Sequence, residues 1–312
     1  MSSQYLDLAL QGKNNWWRYA LGIFVTIVLW LGVTTALFMC LGIWTAIDGD
    51  PSTYVDSKNN SFEGIDPFIN YIFLNMGHLA MLLGLVLSVR FLHKRPLRTL
   101  VTASPRIDWR LLGLGFGLYL ALLIVFTLVD YVRSPGDYYL TRNPKRVLML
   151  APIVLILTPL QTTTEELVFR GYLLQGAGLI FRRFGFPAVI SAVIFTFPHL
   201  ANPELAHGFW LVILYYFGIG LLFAGITLKS NSLELAMGAH ASVNLFSALI
   251  VNYSDSALST ESILFCSEID AAENIVLFAV MALVYWYLLF GLGLAARVSP
   301  PAPDRPPKDS PS

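Results

Sequence analysis

Eight stretches of this chain are apolar for about the thickness of a bilayer, and that restricts its fold more than any other feature. In hydrocarbon every backbone N–H and C=O must find a partner within the protein, so a segment of roughly 20 apolar residues crosses as a helix. The stretches run approximately 19–47, 67–92, 111–132, 147–181, 187–200, 208–228, 233–251 and 275–296. They predict an all-α, polytopic membrane protein with about eight transmembrane helices enclosing an intramembrane polar cavity. With 56% of its 312 residues hydrophobic and 13% charged, the chain is too apolar for a water-soluble globule. The fourth stretch is too long for one straight span and the fifth too short. A break near Pro159 or Gly176-Ala177-Gly178, and a tilted or half-buried fifth segment, are the expected remedies.

Basic residues set the expected orientation, because cytoplasmic loops carry the Lys/Arg excess. Lys13 and Arg18 precede the first span, and Lys94, Arg95, Arg98, Arg106 and Arg110 follow the second. The loops 48–66 and 252–273 are acidic and should face outward. Arg182, Arg183, Lys229 and Arg297 keep this parity, and only the loop 133–146 runs against it. Both termini are therefore expected to be cytoplasmic. Residues 1–18 form an N-terminal tail without the pattern of a cleaved signal peptide. Residues 19–146 hold three spans, 147–251 a core of four, 252–296 an outer loop and the last span, and 297–312 a Pro-rich disordered tail. The mixed segment 97–111 suits either a short interfacial helix or a plain loop. Cys40 and Cys266 have no metal-ligand spacing, and Gly113, Gly115 and Gly117 are expected to serve packing within one chain, leaving the oligomeric state open. A net charge of zero, with no cationic patch interleaved with aromatics, argues against nucleic acid as a partner.

Within the fourth stretch lies the run Thr162-Thr163-Thr164-Glu165-Glu166-Leu167-Val168-Phe169-Arg170. A charge at mid-bilayer costs roughly 2.5–3.5 kcal/mol on insertion scales, so two carboxylates and a guanidinium there mark a functional site more often than filler. Glu166 and Arg170 are four apart and can pair on one helical face, whereas Glu165 points about 100° away and lacks that partner. A desolvated carboxylate of this kind suits a general base. His199 closes the fifth stretch, and His240 and Asn244 share one face of the seventh. At about 1.5 Å of rise per residue these three fall in one layer of the membrane, so a shared site is expected. His78, His93 and His207 show no partner spacing and read as structural or solvated.

Glu165-Glu166-xxx-Arg170, Phe195-xxx-His199 and His240-xxx-Asn244, in that order, resemble the three motifs of the CPBP family of intramembrane proteases, which includes the CAAX prenyl endopeptidases of the Ras-converting-enzyme type and bacterial relatives. The resemblance covers roughly 147–251. It implies hydrolysis of a peptide bond in a membrane-associated protein or peptide, in a bacterial cytoplasmic membrane. Glu165 would activate water with help from His199, His240 and Asn244 would donate to the oxyanion, and Glu166 and Arg170 would support them. Family members have been described both as metalloproteases and as enzymes acting directly on water. Glu165, His199 and His240 would be the ligands if zinc takes part, and the expectation here is chemistry without a cofactor. A proton-coupled transporter and a non-catalytic immunity or scaffold protein remain as alternatives.

Overall fold

The computed structural model describes residues 4–56, 61–181, 185–253, 256–258, 260–267 and 270–299. The Pro-rich tail from residue 300, the pair Arg182-Arg183, and Asp255 and Glu268 of the acidic loop lie outside that set. All eight apolar stretches are helical. In chain order the helices are α1 (Gln4–Asp7), α2 (Trp16–Ile47), α3 (Pro67–Leu87), α4 (Trp109–Arg133), α5 (Pro144–Glu166), α6 (Leu174–Ile180), α7 (Gly185–Thr196), α8 (Phe209–Ser230), α9 (Glu234–Leu249), α10 (Ala271–Trp286) and α11 (Leu294–Val298). Among the described residues, six helical runs are long and apolar enough to cross a membrane: Trp16–Ile47, Phe68–His93, Trp109–Arg133, Pro144–Ile180, Phe209–Ser230 and Ala271–Gly291. The other two of the eight, Gly185–Ala201 and α9, are shorter. Local chemistry explains where several begin. Asp66, Asp108, Asn143 and Asp270 each accept a hydrogen bond from a backbone N–H in the first turn, satisfying a donor that the helix itself leaves orphaned.

The long fourth helix is not broken at Pro159 or at the glycines, as its length predicts. It runs without interruption from Pro144 to Ile180, with Pro152 and Pro159 inside it, and its irregularity is a π-helical segment at Leu167–Leu173. The wider turn loosens the carbonyl ladder, and side chains from elsewhere make up for it. Ser191 Oγ donates to the Phe169 carbonyl at 2.9 Å, and the Tyr5 hydroxyl reaches the Arg170 carbonyl at 3.3 Å.

Tyr5 belongs to α1, which packs into the bundle with Tyr5 and Leu6 buried, as is Ala9 in the 3₁₀ turn that follows. Its hydroxyl also donates to the Leu100 carbonyl at 2.5 Å, and its backbone N–H to Asn231 Oδ1 at 3.1 Å. Leu100 lies in the segment where an interfacial helix was one expectation. That segment is a 3₁₀ turn at Leu97–Leu100 with Thr99, Leu100 and Val101 buried, held inside because the Thr99 carbonyl accepts from Gln175 Nε2 at 2.8 Å. Arg95, one of the basic residues that favours a cytoplasmic loop, is 1% exposed and donates to Gln175 Oε1 at 2.8 Å.

Helices α4 and α9 pack backbone against backbone. A Cβ on Gly115 would lie 2.3 Å from the Leu235 carbonyl oxygen, and one on Gly238 would lie 2.2 Å from that of Leu112. Glycine on both sides lets the backbones touch. Gly113 and Gly117 face open space, so of the three glycines on α4 only Gly115 serves packing within the chain. Short strands join the loops. β1 (Tyr54–Asp56) pairs with β2 (Ser61–Glu63), while β3 (Tyr138–Leu140), β4 (Val251–Tyr253) and β5 (Leu264–Cys266) form a sheet with β5 in the middle. That sheet anchors the far end of α9 to the loop between α4 and α5.

Candidate active site

Glu165 and Glu166 are the last two residues of α5 before the π-helical turn. The threonines ahead of them fit a buried helix because the Thr162 and Thr164 hydroxyls donate to carbonyls one turn back, at 3.1 and 2.8 Å. Glu166 is fully buried, and its Oε1 accepts from Arg170 Nη1 at 2.7 Å and from His240 Nδ1 at 2.8 Å. The Arg170 guanidinium also lies over the Phe195 ring, 4.1 Å from its centroid, with Phe223 at 5.5 Å. A cation enclosed by one carboxylate and two ring faces is compensated by both kinds of contact. This unit ties α5 to α7, α8 and α9 around one point.

Glu165 turns away from that pair, as the helical spacing predicts. Its Oε1 accepts from Gln161 Nε2 at 3.3 Å and lies 3.3 Å from His78 Nε2. Its other oxygen is 3.8 Å from His240 Nε2. His240 therefore lies between the two carboxylates, hydrogen-bonded to Glu166 and facing Glu165. His199 sits between the Phe195 ring at 4.5 Å and the Tyr216 ring at 4.2 Å, within electrostatic range of both Glu165 and His240. Its Nδ1 donates to the Phe195 carbonyl at 2.8 Å. A carbonyl only accepts, so that bond fixes the tautomer and leaves Nε2 of the neutral ring with a free lone pair. Tyr216 is held in turn by Asn202, whose Nδ2 donates to its hydroxyl at 2.8 Å. Asn244 is half-buried one turn beyond His240, and among the described residues its amide makes no hydrogen bond.

The structure thus brings Glu165, Glu166, Arg170, His199 and His240 together, with Asn244 on the adjoining turn. It also adds a residue that spacing did not select. His78 is 7% exposed and contacts Glu165, which corrects its reading as merely structural or solvated. Nothing within its own span pointed to chemistry, because its partner is 87 positions away in sequence. The available signal was the polar file Tyr71, Asn75 and His78 along one face of an otherwise apolar helix. His93, by contrast, is engaged with the Lys13 carbonyl at 2.9 Å and the Tyr172 hydroxyl at 2.7 Å, remote from these groups.

Among the described residues no three His, Cys, Asp or Glu side chains are disposed to hold one metal ion. His240 uses Nδ1 on Glu166, and its Nε2 lies 3.8 Å from Glu165. What the site does offer is a buried carboxylate steadied through one oxygen, imidazole nitrogens on its other side and an uncommitted, half-buried amide. Such a set suits proton transfer and stabilisation of a developing oxyanion.

Comparison with known proteins bears on the same stretch. A family model described as type II CAAX prenyl endopeptidase Rce1-like matches residues 146–246, a span that contains Glu165, Glu166, Arg170, His199, His240 and Asn244. The chain is also similar to the uncharacterized protein YyaK of Bacillus subtilis (strain 168), with 34% identity over 250 residues, covering 79% of this chain and 82% of that one. His78 lies outside the residues that the family model matches.

Proposed function

This chain belongs to the Rce1-like family of type II CAAX prenyl endopeptidases, and on that footing we propose that it hydrolyses a peptide bond with a water molecule activated by Glu165. Membership makes it a membrane-embedded protease that acts on membrane-associated protein; the residue roles and the class of substrate are our reading. Glu165 takes a proton from the water as its oxygen bonds to the carbonyl carbon, and the carbonyl oxygen becomes an oxyanion. The Asn244 amide stabilises that oxyanion, joined by His240 Nε2–H when the ring carries a proton on both nitrogens, since Nδ1–H is engaged with Glu166. When the tetrahedral intermediate collapses, the C–N bond breaks and the leaving nitrogen receives the proton, with the His199 Nε2 lone pair assisting the transfer. Glu166 and Arg170 hold His240 in place. No step requires a metal.

The observation that carries this reading is the placement of His240, whose two ring nitrogens lie 2.8 Å from Glu166 and 3.8 Å from Glu165. A helix-packing ion pair needs the first contact and not the second. The favoured substrate is a prenylated CAAX-type protein, reached from a bacterial cytoplasmic membrane in which both chain termini face the cytoplasm. The test uses purified protein in liposomes with a quenched farnesylated peptide and a panel of transmembrane peptides. Cleavage by the wild type and its loss in Glu165→Gln support the assignment; undiminished cleavage by that variant defeats it.

A further inference from the structure

The helices α3 and α5 run parallel, side by side, and are pinned together by polar contacts at two levels. At one level the Tyr71 hydroxyl bonds Thr158 Oγ1; seven residues further along each helix, His78 meets Glu165. Seven residues of helix are about 10 Å. Between the two levels the seam carries Asn75 from α3 and Gln161 from α5, which are 0% and 6% exposed. Each uses its amide nitrogen: Asn75 Nδ2 donates to the Tyr71 carbonyl at 2.8 Å, and Gln161 Nε2 donates to Glu165 Oε1. Each leaves its carbonyl oxygen, Oδ1 of Asn75 and Oε1 of Gln161, buried without a protein partner.

Two orphaned acceptors along one seam, in line with a carboxylate, are unlike the scattered unsatisfied atoms of an ordinary core. An unpaired buried acceptor costs about 1–3 kcal/mol, and a polar pocket of this sort is where a protein holds internal water, typically through about three hydrogen bonds. Toward the other end the seam is closed by the apolar cluster of Tyr71, Leu150, Val154 and Ala248. Water held between the two levels is therefore shut off at Tyr71 and delivered at Glu165.

We propose that the α3–α5 seam is a water-binding site, with Asn75 Oδ1 and Gln161 Oε1 as its acceptors, and that it supplies the hydrolytic water to Glu165. The inference rests on the proposed hydrolysis and deepens it. His78 is the positioning residue at the delivery end. Its Nδ1 donates to the Leu74 carbonyl at 3.0 Å, which turns Nε2 onto Glu165 Oε1; with a proton on each ring nitrogen it donates to both. Together with Gln161 it occupies that oxygen and leaves the other free toward His240.

The test does not depend on turnover. Full-length protein in nanodiscs is exposed to a millisecond X-ray pulse in ¹⁸O-labelled water, and oxidised side chains are read by mass spectrometry. Residues beside trapped water gain the label although they are buried. His78 and Tyr71 should be labelled well above Leu85 and Leu174, which are as deeply buried in apolar surroundings. Asn75→Leu and Gln161→Leu should each reduce the labelling of His78. Against the farnesylated peptide each should lower kcat about fivefold, the loss of one buried hydrogen bond, with KM unchanged. His78→Gln, which keeps an N–H directed at Glu165, should retain more kcat than His78→Leu. Labelling of His78 no greater than that of Leu85 overturns the proposal, as does undiminished labelling in both leucine variants. If those variants do not fold, the wild-type pattern alone decides. Undiminished cleavage by Glu165→Gln would instead sink the assigned base and leave the labelling result standing, so the two failures are distinguishable.

Discussion

At the scale of single residues, the site separates two adjacent carboxylates by the company each keeps. Glu166 is locked between Arg170 and His240, while Glu165 has one oxygen steadied and the other free. Two predictions follow from that split. Glu165→Gln preserves shape and removes the base, so kcat/KM for the farnesylated peptide should fall by about 10²–10⁴ while the melting temperature in detergent stays close to that of the wild type. Arg170→Leu leaves Glu166 buried without its cation and takes a planar group off Phe195; it should destabilise the protein by about 3–5 kcal/mol, seen as a large drop in melting temperature. A melting temperature unaffected by Arg170→Leu would show that the pair does not hold the bundle. Glu165, Glu166, Arg170, His199, His240 and Asn244 were legible in the sequence because charge and amide groups inside apolar spans are expensive. His78 was not, because a lone histidine in a span looks the same whether it faces packing or a carboxylate, and only the tertiary fold brings α3 against α5.

At the scale of elements, the feature that spacing could not foresee is the π-helical turn after Glu166. Length alone required some irregularity in the fourth helix, and the prolines and glycines were the natural places to look for it. A π-helical turn leaves no such mark, since it depends on carbonyl partners from distant segments, here Ser191 and Tyr5. Tyr5→Phe removes the donor shared by the Arg170 and Leu100 carbonyls and should cost about 1–3 kcal/mol, measured by thermal unfolding. Ordinary stability in that variant would mean the hydroxyl is dispensable. A second prediction concerns the glycine contact. Gly238→Val would drive a side chain into the Leu112 carbonyl and push α9 off α4, destabilising by about 1–3 kcal/mol. Because His240 is two residues on, cleavage should fall further than unfolding explains; the ratio of specific activity to folded fraction reads this directly.

At the scale of the whole molecule, the all-α membrane architecture was legible from apolar stretches, since hydrocarbon leaves the backbone few alternatives. Among the described residues six helices reach spanning length, and two shorter ones, Gly185–Ala201 and α9, carry His199, His240 and Asn244. The proposed direct action of Glu165 on water makes a prediction at this scale too: exhaustive chelation should leave cleavage unchanged, and elemental analysis of the purified protein should find less than one zinc per chain. Activity that is lost on chelation and regained only with zinc would refute the direct mechanism.

The bond from the Tyr5 backbone to Asn231 spans 226 positions. During synthesis the first turn emerges from the ribosome early and waits, with nothing to grip, until the hairpin between α8 and α9 has been made. Contacts so distant along the chain form late, and here the late contact is also the one that seats Tyr5 against the carbonyl of Arg170. A nascent chain therefore makes most of its helices before the Arg170 carbonyl gains that partner.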